Sequence, residues 1–456
     1  KILNKAQGRK LNAEECCLLI DEAAATVVAG NIRRCLPEYA LVHTARGLVK
    51  IKDVNVGDRV QTPLGFRKVV NKFDQGVQDV REIETNGTYP QATENHRMAV
   101  LSAANGDYIW KRVSELKSDD RLLHNTQILA GVPTQLPPDE TSLRPVQSRT
   151  AKDISIPDLN PDVAWLIGFT HGDGYVSLDR NKYNKPYGSI IWATDAELAP
   201  LIEEKLDRAL ANFGVSASKQ TNDNDNTVRF VCSSIRLTEY FFKNIKRPKE
   251  PLEIPDFIFQ GSVETRAAYL AGILDADGSL KTRPPQLVCT VYPQFAYQVA
   301  SVLSSLGIAG RMGKTIPKQP NWRTKYHVNL PAFKAEYNKL IAPHSVKGEL
   351  KIGLKMYGFT LTGEMMREAY TYSEMQNMGF QGKRTVESNY ERYRVESELE
   401  IDIPVTFKQL GQVFAVQTYD LEVEDAHCFY CDGYLTHNSA GIRQFDADSP
   451  LLKQNL

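Results

Sequence analysis

Cys35 and the run His437-Asn438-Ser439 are the residues of this sequence whose types best fit a chemical reaction. A cysteine thiolate is a strong nucleophile, and the side-chain amide of Asn438 can attack its own backbone carbonyl. The first attack opens the peptide bond before Cys35, and the second cuts the bond after Asn438. The hydroxyl of Ser439 can receive the chain that Cys35 releases. These residue types predict that residues 35–438 excise themselves and join their flanks.

The elements that must bring these two ends together are predicted to be β-strands. After Cys35, short alternating segments such as Leu48-Val49-Lys50-Ile51 are separated by glycines, including Gly57 and Gly65. Alternation with frequent glycine turns indicates β-structure. The same pattern returns after Ile403-Pro404. The sequence therefore predicts one all-β domain that is split by an insert.

The insert mixes helical and strand signals and contains two related segments, 166–174 and 270–278. They read Leu-Ile-Gly-Phe-Thr-His-Gly-Asp-Gly and Leu-Ala-Gly-Ile-Leu-Asp-Ala-Asp-Gly. Asn160-Pro161 and Ser262 are helix-start signals for them. Small residues four apart in each segment predict close packing of the two helices. The insert is thus predicted to be an α/β domain with a pseudo-two-fold axis.

Two carboxylates would meet at the carboxyl ends of these helices, Asp173 and Asp277. Gly174 and Gly278 follow them and are expected to be helix-ending glycines of the usual left-handed kind. Two adjacent carboxylates repel each other unless a cation lies between them. Mg²⁺ is the natural partner, because it binds oxygen ligands and stabilises phosphoryl oxygens.

The β-rich parts resemble the splicing domain of inteins, the HINT fold, and the resemblance covers several motifs in the right order. The matching segments are Cys35-Leu36-Pro37 with Gly57-Asp58, Thr93-Glu94-Asn95-His96, Tyr419-Asp420 through His427, and Thr436-His437-Asn438-Ser439. The resemblance implies the following roles. Thr93 holds the scissile unit, and His96 protonates the amide nitrogen that leaves. Asp420 couples the early steps, and His427 and His437 assist the cyclisation of Asn438.

The second of the paired segments is nearly the signature of LAGLIDADG homing endonucleases, and the first is a looser copy. The resemblance implies Mg²⁺-dependent cleavage of long, specific double-stranded DNA sites, with Asp173 and Asp277 as catalytic metal ligands. His171 departs from the pattern, because the family usually has an acid there. The family also places a lysine near the metals in each half. Position suggests Lys249 for one half and Lys355 for the other, with Lys351 as a competitor.

Basic residues of the insert are predicted to contact DNA phosphates and bases, because they lie among aromatic side chains. An alternative is that such runs are solvated loops. The predicted contacts are Arg180, Lys182, Lys185, Arg311, Lys314, Arg323 and Lys325.

The predicted domain organisation has an amino-terminal flank and a carboxy-terminal flank around the self-excising segment. The order is 1–34 flank, 35–130 splicing part, 131–160 linker, 161–360 endonuclease, 361–402 connecting segment, 403–438 splicing part and 439–456 flank. Residues 13–29 are predicted to form a helix, with Asn12 and Glu15 as a capping box. The joined flanks, Gly-Asn-Ile-Arg-Arg-Ser-Ala, resemble the large subunit of ribonucleotide reductase of the adenosylcobalamin-dependent class. That cofactor would belong to the host alone.

Composition narrows the remaining possibilities. Lys+Arg and Asp+Glu both number 55, so any surface that attracts nucleic acid must be local. Seven scattered cysteines do not indicate a disulfide framework and fit a reducing cytoplasm. No apolar run of membrane-spanning length is present, so no membrane partner is expected. Cys428 and Cys431 are expected to be strand residues of the last hairpin rather than half of a zinc site. Pairing of Cys431 with Cys35 under oxidation is a further hypothesis.

Two alternatives remain beside a monomeric chain that both splices and cleaves DNA. In the first, splicing is intact and the endonuclease is inactive. In the second, the domain cleaves without ligating, as in hedgehog-like relatives. The presence of Ser439 and of sequence after it argues against the second.

Overall fold

The structure is a computed structural model. It describes residues 9–19, 34–101, 108–118, 120–143, 153–180, 183–184, 186–221, 226–282, 284–319, 321–330, 334–350 and 402–438. The predicted residues Lys182, Lys185, Lys351, Lys355 and Ser439 lie outside these ranges, as do most of both flanks and all but the last residue of the connecting segment.

In the amino-terminal flank, residues 13–19 are helical and are labelled α1. Its predicted capping box is confirmed. The side chain of Asn12 accepts from the N–H of Glu15 at 2.7 Å, and the Glu15 carboxylate accepts from the N–H of Asn12 at 3.0 Å. The two bonds satisfy orphan N–H groups at the start of the helix.

Nine strands follow between residues 34 and 130 of the described chain. They are β1 (Leu36–Pro37), β2 (Leu41–Thr44), β3 (Gly47–Lys50), β4 (Arg59–Thr62), β5 (Gly65–Thr85), β6 (Gln91–Thr93), β7 (Arg97–Leu101), β8 (Tyr108–Arg112) and β9 (Arg121–Asn125). Gly57 and Gly65 have φ of 100° and 82°. These values lie in the left-handed region that favours glycine, so the predicted tight turns are confirmed at both positions.

The insert alternates helices with short strands. Its helices are α2 (Pro161–Asp173), α3 (Ala199–Ala211), α4 (Ile235–Asn244), α5 (Asp256–Gln260), α6 (Val263–Asp277), α7 (Pro293–Ser304) and α8 (Lys334–Leu340). Its strands are β10 (Gly174–Arg180), β11 (Pro186–Asp195), β12 (Ser218–Thr221), β13 (Thr227–Cys232), β14 (Gln286–Thr290), β15 (Arg311–Thr315) and β16 (Lys325–Asn329). A four-stranded sheet has the order β10-β11-β13-β12, and a three-stranded sheet has the order β14-β16-β15. Each of these sheets begins with the first element after one of the two motif helices, α2 and α6, which carry the paired segments.

The last three strands return to the sheet of the first nine. They are β17 (Asp402–Val423), β18 (Cys428–Cys431) and β19 (Tyr434–His437). β17 runs antiparallel to β5 from the pair Phe407↔Thr85 to the pair Val423↔Val69. The resulting sheet has twelve strands, with β19 beside β7 and β9. Segments from the two ends of the chain therefore share one hydrogen-bonded sheet.

Helices α2 and α6 pack backbone against backbone, as their small residues predict. A Cβ at Gly168 would lie 2.0 Å from Tyr269 O, and one at Gly272 would lie 2.1 Å from Trp165 O. The helix starts are also as predicted, because Asn160 and Ser262 accept from N–H groups three residues later.

The helix-ending glycines differ from the prediction. Gly174 and Gly278 have φ of −81° and −87°, so neither is left-handed. Close packing explains them instead. A Cβ at Gly174 would lie 2.6 Å from Thr170 Cα, and one at Gly278 would lie 2.4 Å from the Leu274 side chain.

The predicted linker 131–160 is no loose connector where it is described. The buried carboxylate of Glu239 accepts from the N–H groups of Ser142 and Leu143 at 2.9 and 2.8 Å. The hydroxyl of Tyr240 donates to Pro137 O at 2.7 Å. Both partners come from α4, so the described residues 137–143 are held against that helix.

Candidate splicing site and candidate nuclease site

Cys35 lies directly before β1 and is fully buried. Its backbone N–H, which belongs to the peptide bond that would be broken, donates to Thr93 Oγ1 at 3.0 Å. The N–H of Thr93 donates to Cys35 O at 3.0 Å, and the Thr93 hydroxyl lies 3.4 Å from the same oxygen. Thr93 at the end of β6 thus contacts the N–H of the scissile amide and the carbonyl of the peptide unit that follows it.

His96 follows the turn after β6 and is fully buried. Neither of its ring nitrogens has a hydrogen-bond partner in the described part of the chain. Burial, with smaller contributions from His437 and Arg34, lowers the pKa of His96 to about 3. Its ring is therefore neutral, and its imidazolium would be a strong acid toward a nearby amide nitrogen.

Asp420 reaches the same end of the chain through β17. Leu36 of β1 pairs with Tyr419, which places Asp420 in the register position next to Cys35. The Asp420 carboxylate is buried and accepts from the N–H of Leu421 at 2.8 Å. Burial lowers the pKa of the Arg34 guanidinium, and the charge of Asp420 opposes that shift. Residues separated by almost the whole chain are thus brought together by one antiparallel pairing.

Asn438 follows β19 and is fully buried. In the amide orientation that satisfies both ends, its Nδ2 donates to His427 O at 2.5 Å and its Oδ1 accepts from Val423 N at 2.8 Å. His437 Nδ1 lies 2.5 Å from Asn438 O, the oxygen of the carbonyl group whose carbon cyclisation would attack. Because that oxygen can only accept, Nδ1 must carry the proton. Burial lowers the pKa of His437, so a neutral ring donates this bond.

His427 contributes through its backbone, in a left-handed conformation with φ of 50°. Its carbonyl oxygen accepts from the backbone N–H of Asn438 at 3.1 Å, as well as from the side-chain amide. The turn between β17 and β18 therefore fixes Asn438 at both its main chain and its side chain. Trp110 of β8 packs edge-on against His437, with ring centroids 4.8 Å apart.

Cys428 and Cys431 lie on β18, as the strand prediction has it. They pair with His437 and Tyr434 of β19. Residues three apart on a strand point to opposite faces, and the two cysteines pack into different hydrophobic clusters. They therefore do not form a joint metal site. Burial and Asp432 hold the pKa of the Cys431 thiol well above its usual range. Both cysteines are reduced, as is Cys35.

Asp173 and Asp277 lie at the paired ends of α2 and α6. Burial, followed by the nearby charge of Asp277, raises the pKa of Asp173 to about 6. Burial also raises the pKa of Asp277. The two carboxylates ionise poorly because they share a buried site. A bound cation would relieve the repulsion between them and favour their ionised forms. Their oxygen donors fit Mg²⁺, which keeps several water ligands when the protein supplies few.

The lysines at this site are Lys246 and Lys347. Lys246 Nζ donates to Thr170 O at 3.0 Å and to His171 O at 2.9 Å, and burial lowers its pKa to about 8. Lys347 Nζ donates to Leu274 O at 2.7 Å and to Gly278 O at 2.8 Å. Each ammonium caps the carboxyl end of one motif helix, where the helix dipole favours a cation. Both also act electrostatically on Asp173 and Asp277.

The lysine expected from position, Lys249, is exposed and has left-handed backbone with φ of 68°. Its counterpart in the other half, Lys355, lies outside the described residues. Lys246 lies 73 residues after Asp173 (246 − 173) and Lys347 lies 70 after Asp277 (347 − 277). The spacings of Lys249 (249 − 173 = 76) and Lys355 (355 − 277 = 78) are just as similar, so spacing does not single out Lys246 and Lys347.

The described basic residues predicted to contact DNA have different surroundings. Arg323 and Lys325 are exposed beside Trp322, whose side chain is 62% exposed. Lys314 is engaged elsewhere, because its ammonium forms ion pairs with Glu84 and with Glu82 of β5. Its predicted role as a phosphate contact is wrong for this arrangement.

Arg180 and Arg311 complete the described members of that set. Arg180 lies at the exposed end of β10 and donates to Asn184 O at 3.0 Å. Arg311 begins β15 and is partly buried.

Residues 264–333 match a family model of the LAGLIDADG-like domain. The matched segment covers α6 and the sheet β14-β16-β15. A DNA polymerase of Thermococcus sp. (strain GE8) is 24% identical over 372 residues, which are 78% of this chain and 19% of that protein. The NrdEB subunit alpha of ribonucleoside-diphosphate reductase from Bacillus subtilis (strain 168) is 26% identical over 136 residues, 29% of this chain and 12% of that protein.

The curated relatives share a segment rather than an activity. The chain spans only about 11–21% of their lengths, and they are named as replication, polymerase, synthase, aminotransferase and reductase proteins. The polymerase match exceeds the 52 residues of both flanks (34 + 18) many times over, so it falls mostly within 35–438. The chain is an intein with a LAGLIDADG endonuclease domain.

Two solved structures are similar in parts. The endonuclease I-DmoI in complex with its nicked target DNA is 16% identical with a TM-score of 0.34, over 41% of the intein and 98% of that chain. The gp41-1 intein is 22% identical with a TM-score of 0.18, over 20% of this chain and 69% of that one. No helix in the described part of the intein is long and apolar enough to cross a membrane.

Proposed function

We propose that the intein excises residues 35–438 and joins 1–34 to 439–456. The observation that carries this proposal is the convergence of both ends on one sheet. There the scissile amide of Cys35 is held by Thr93, and the carbonyl of Asn438 is held by His437. A purely structural role would not require side-chain hydrogen bonds at both of the peptide bonds that splicing breaks, the one before Cys35 and the one after Asn438.

The first step is an acyl shift at Cys35. Its sulfur attacks the Arg34 carbonyl carbon, the new S–C bond forms, and the C–N bond to Cys35 breaks. The thiol proton ends on the released amine, and His96 is the group suited to pass it. Thr93 keeps the nitrogen in place while the carbon becomes tetrahedral. Asp420, beside Cys35, is proposed to couple this step to the next.

The second and third steps release the intein. The Ser439 hydroxyl attacks the thioester, so that an O–C bond forms, the S–C bond breaks, and the serine proton passes to the sulfur. Asn438 Nδ2 then attacks its own carbonyl carbon and the bond to Ser439 breaks, with the amide proton passing to the new amine. His437 polarises that carbonyl by its hydrogen bond, with His427 holding the amide. The ester between the flanks rearranges to a peptide bond.

Mass measurement of the expressed chain tests this proposal. The wild type should give two products, the free intein and the ligated flanks. A Cys35→Ala, Asn438→Ala variant should stay full length. Separate, unligated flanks would instead support the cleavage-only alternative. Full-length wild-type protein that persists beside the control would refute splicing.

We further propose that the LAGLIDADG domain cleaves double-stranded DNA at the intein-less host gene, with Asp173 and Asp277 as metal ligands. Mg²⁺, when bound between them, would supply charge stabilisation for the transferring phosphoryl group. Lys246 and Lys347, held near both carboxylates, replace Lys249 and Lys355 as the proposed catalytic lysines. They add positive charge where the phosphodiester would lie.

A plasmid carrying the joined flanking sequence tests the endonuclease. Linearisation with Mg²⁺, lost in Asp173→Asn and Asp277→Asn variants, is the expected result. An intact plasmid with wild-type protein would favour the alternative in which the insert only binds DNA. The reductase host, and its adenosylcobalamin, rest on the seven-residue junction of the flanks and remain part of the proposal. A monomeric state is proposed with it.

A further inference from the structure

The two motif helices differ at one position near their active ends. His171 in α2 occupies the place that Asp275 holds in α6, because the segments 166–174 and 270–278 align residue for residue. Both side chains are buried, with exposures of 1% and 2%. Neither faces solvent, so each must find its hydrogen-bond partners inside the domain.

Asp275 accepts three well-formed hydrogen bonds. Trp165 Nε1 donates to it from the other helix at 2.8 Å, Ser345 Oγ at 2.5 Å and Val346 N at 3.0 Å. The last two fix the segment that carries Lys347. The carboxylate therefore holds a lysine-bearing loop against α6 by offering it an acceptor.

His171 reaches the corresponding loop with the opposite polarity. Its Nε2 lies 2.9 Å from Ile245 O, and its Nδ1 lies 2.7 Å from the Tyr269 hydroxyl. A carbonyl can only accept, so Nε2 carries the proton and Nδ1 accepts from Tyr269. Ile245 directly precedes Lys246, whose Nζ lies 2.9 Å from the carbonyl oxygen of His171 itself.

The supporting aromatics are also related by the pseudo-two-fold. Trp165 and Tyr269 each come one residue before their motif segment, and each donates across the helix pair to the buried group of the other half. In the half that contains α6, the Asp275 carboxylate accepts from an aromatic N–H and from donors of the lysine-bearing loop. In the half that contains α2, the neutral His171 ring accepts from an aromatic O–H and donates to a carbonyl of the lysine-bearing loop.

We propose that His171 is a positioning residue that places Lys246 for cleavage of one DNA strand. The inference rests on the proposed endonuclease function. An aspartate at 171 would make the motif more regular, yet an ionised carboxylate has no proton to donate to Ile245 O and would repel it. The site in this half requires a donor. His171→Asp is therefore expected to impair cleavage, although it restores the common sequence.

Strand-resolved cleavage of a supercoiled plasmid tests this inference. The plasmid carries the DNA that encodes residues 28–34 joined directly to 439–445, a linear duplex of the same sequence has each strand end-labelled, and Mg²⁺ is present in both reactions. Wild-type intein should give linear product. His171→Asp should slow one strand by about 10- to 100-fold, as expected when a catalytic group is misplaced, and nicked circles should accumulate. The other strand should be cut at a rate within about twofold of the wild type, because its own lysine is untouched.

Two further variants separate positioning from folding. His171→Gln keeps an N–H donor near Ile245 O and should restore linear product. Asp275→Asn, the matched change in the other half, should slow the opposite strand. Thermal melting of each variant confirms that the domain is folded.

The outcomes distinguish the inference from the function on which it rests. Wild-type intein that cuts neither strand overturns the endonuclease proposal and this inference with it. A wild type that cuts, with His171→Asp cutting both strands normally or slowing both equally, overturns the positioning role alone.

Discussion

Replacing Thr93 by valine isolates the contact that holds the scissile bond. Valine has nearly the same shape, so the change removes one hydroxyl from a buried site. That hydroxyl accepts from the Cys35 N–H at 3.0 Å. During the acyl shift the amide nitrogen becomes an amine and gains a proton, so its N–H groups become stronger donors.

The size of the effect follows from that change in charge. A neutral hydrogen bond contributes about 1 kcal/mol and one with a charged donor about 1.5–3 kcal/mol. Only the difference, about 0.5–2 kcal/mol, accelerates the reaction, since the ground state also has the bond. At 1.36 kcal/mol per factor of ten, Thr93→Val should slow the first step by about 2- to 30-fold.

The assay blocks transfer and cyclisation with Ser439→Ala and Asn438→Ala and measures release of residues 1–34 by an added thiol. Thr221→Val, which changes an exposed threonine of β12, serves as the matched control. Equal rates for Thr93→Val and the control would show that the contact is only structural. A faster rate in Thr93→Val would show that it stabilises the precursor instead.

Three other expectations concern cyclisation, packing and pH. His437→Ala removes the donor to Asn438 O. Release of residues 439–456 should therefore slow by about 10²–10³-fold, the usual effect of losing such a donor. An unchanged release rate, measured on gels, would contradict the proposed role of His437. Gly272→Val places a side chain against Trp165 O and should lower the free energy of unfolding by at least about 1–3 kcal/mol. A lower denaturant midpoint would show this loss, and an unchanged midpoint would refute it. Buried histidines with pKa values of about 3 to 4 bind protons only on unfolding, so stability should fall as pH drops below about 6.5, by about 2 kcal/mol each at pH 5. Asp173 and Asp432, each with its pKa raised to about 6, each offset about 1.3 kcal/mol of this between pH 7 and 5. Urea unfolding at pH 7 and 5 checks the net loss, and equal stability would contradict it. These histidines are His43, His96, His124 and His171.

Residue types with a unique chemistry were readable from the sequence. Few arrangements besides self-excision use a cysteine at one end and His-Asn-Ser at the other. The two glycine-rich helices were equally clear, because close packing leaves room only for hydrogen at Gly168 and Gly272. Local signals also predicted the capping box, the helix starts and the tight turns correctly, since they depend on neighbours in sequence.

Positions set by long-range packing were not readable. The segment 131–160 has the composition of a linker, yet Glu239 and Tyr240 bind it to α4. Lys314 has the charge of a DNA contact, yet two glutamates of the splicing part neutralise it. Composition describes what a segment contains, and these outcomes depended on which surface it met.

The sequence by itself determined the reactive groups, because Cys35, Asn438, Asp173 and Asp277 are chemically defined wherever they lie. Only the tertiary structure decided which other groups reach them. One antiparallel pairing places Asp420 beside Cys35, and two loop contacts place Lys246 and Lys347 rather than other lysines. Proximity depends on the path of the whole chain. A lysine shifted by three residues in a loop has the same chemistry but points to solvent.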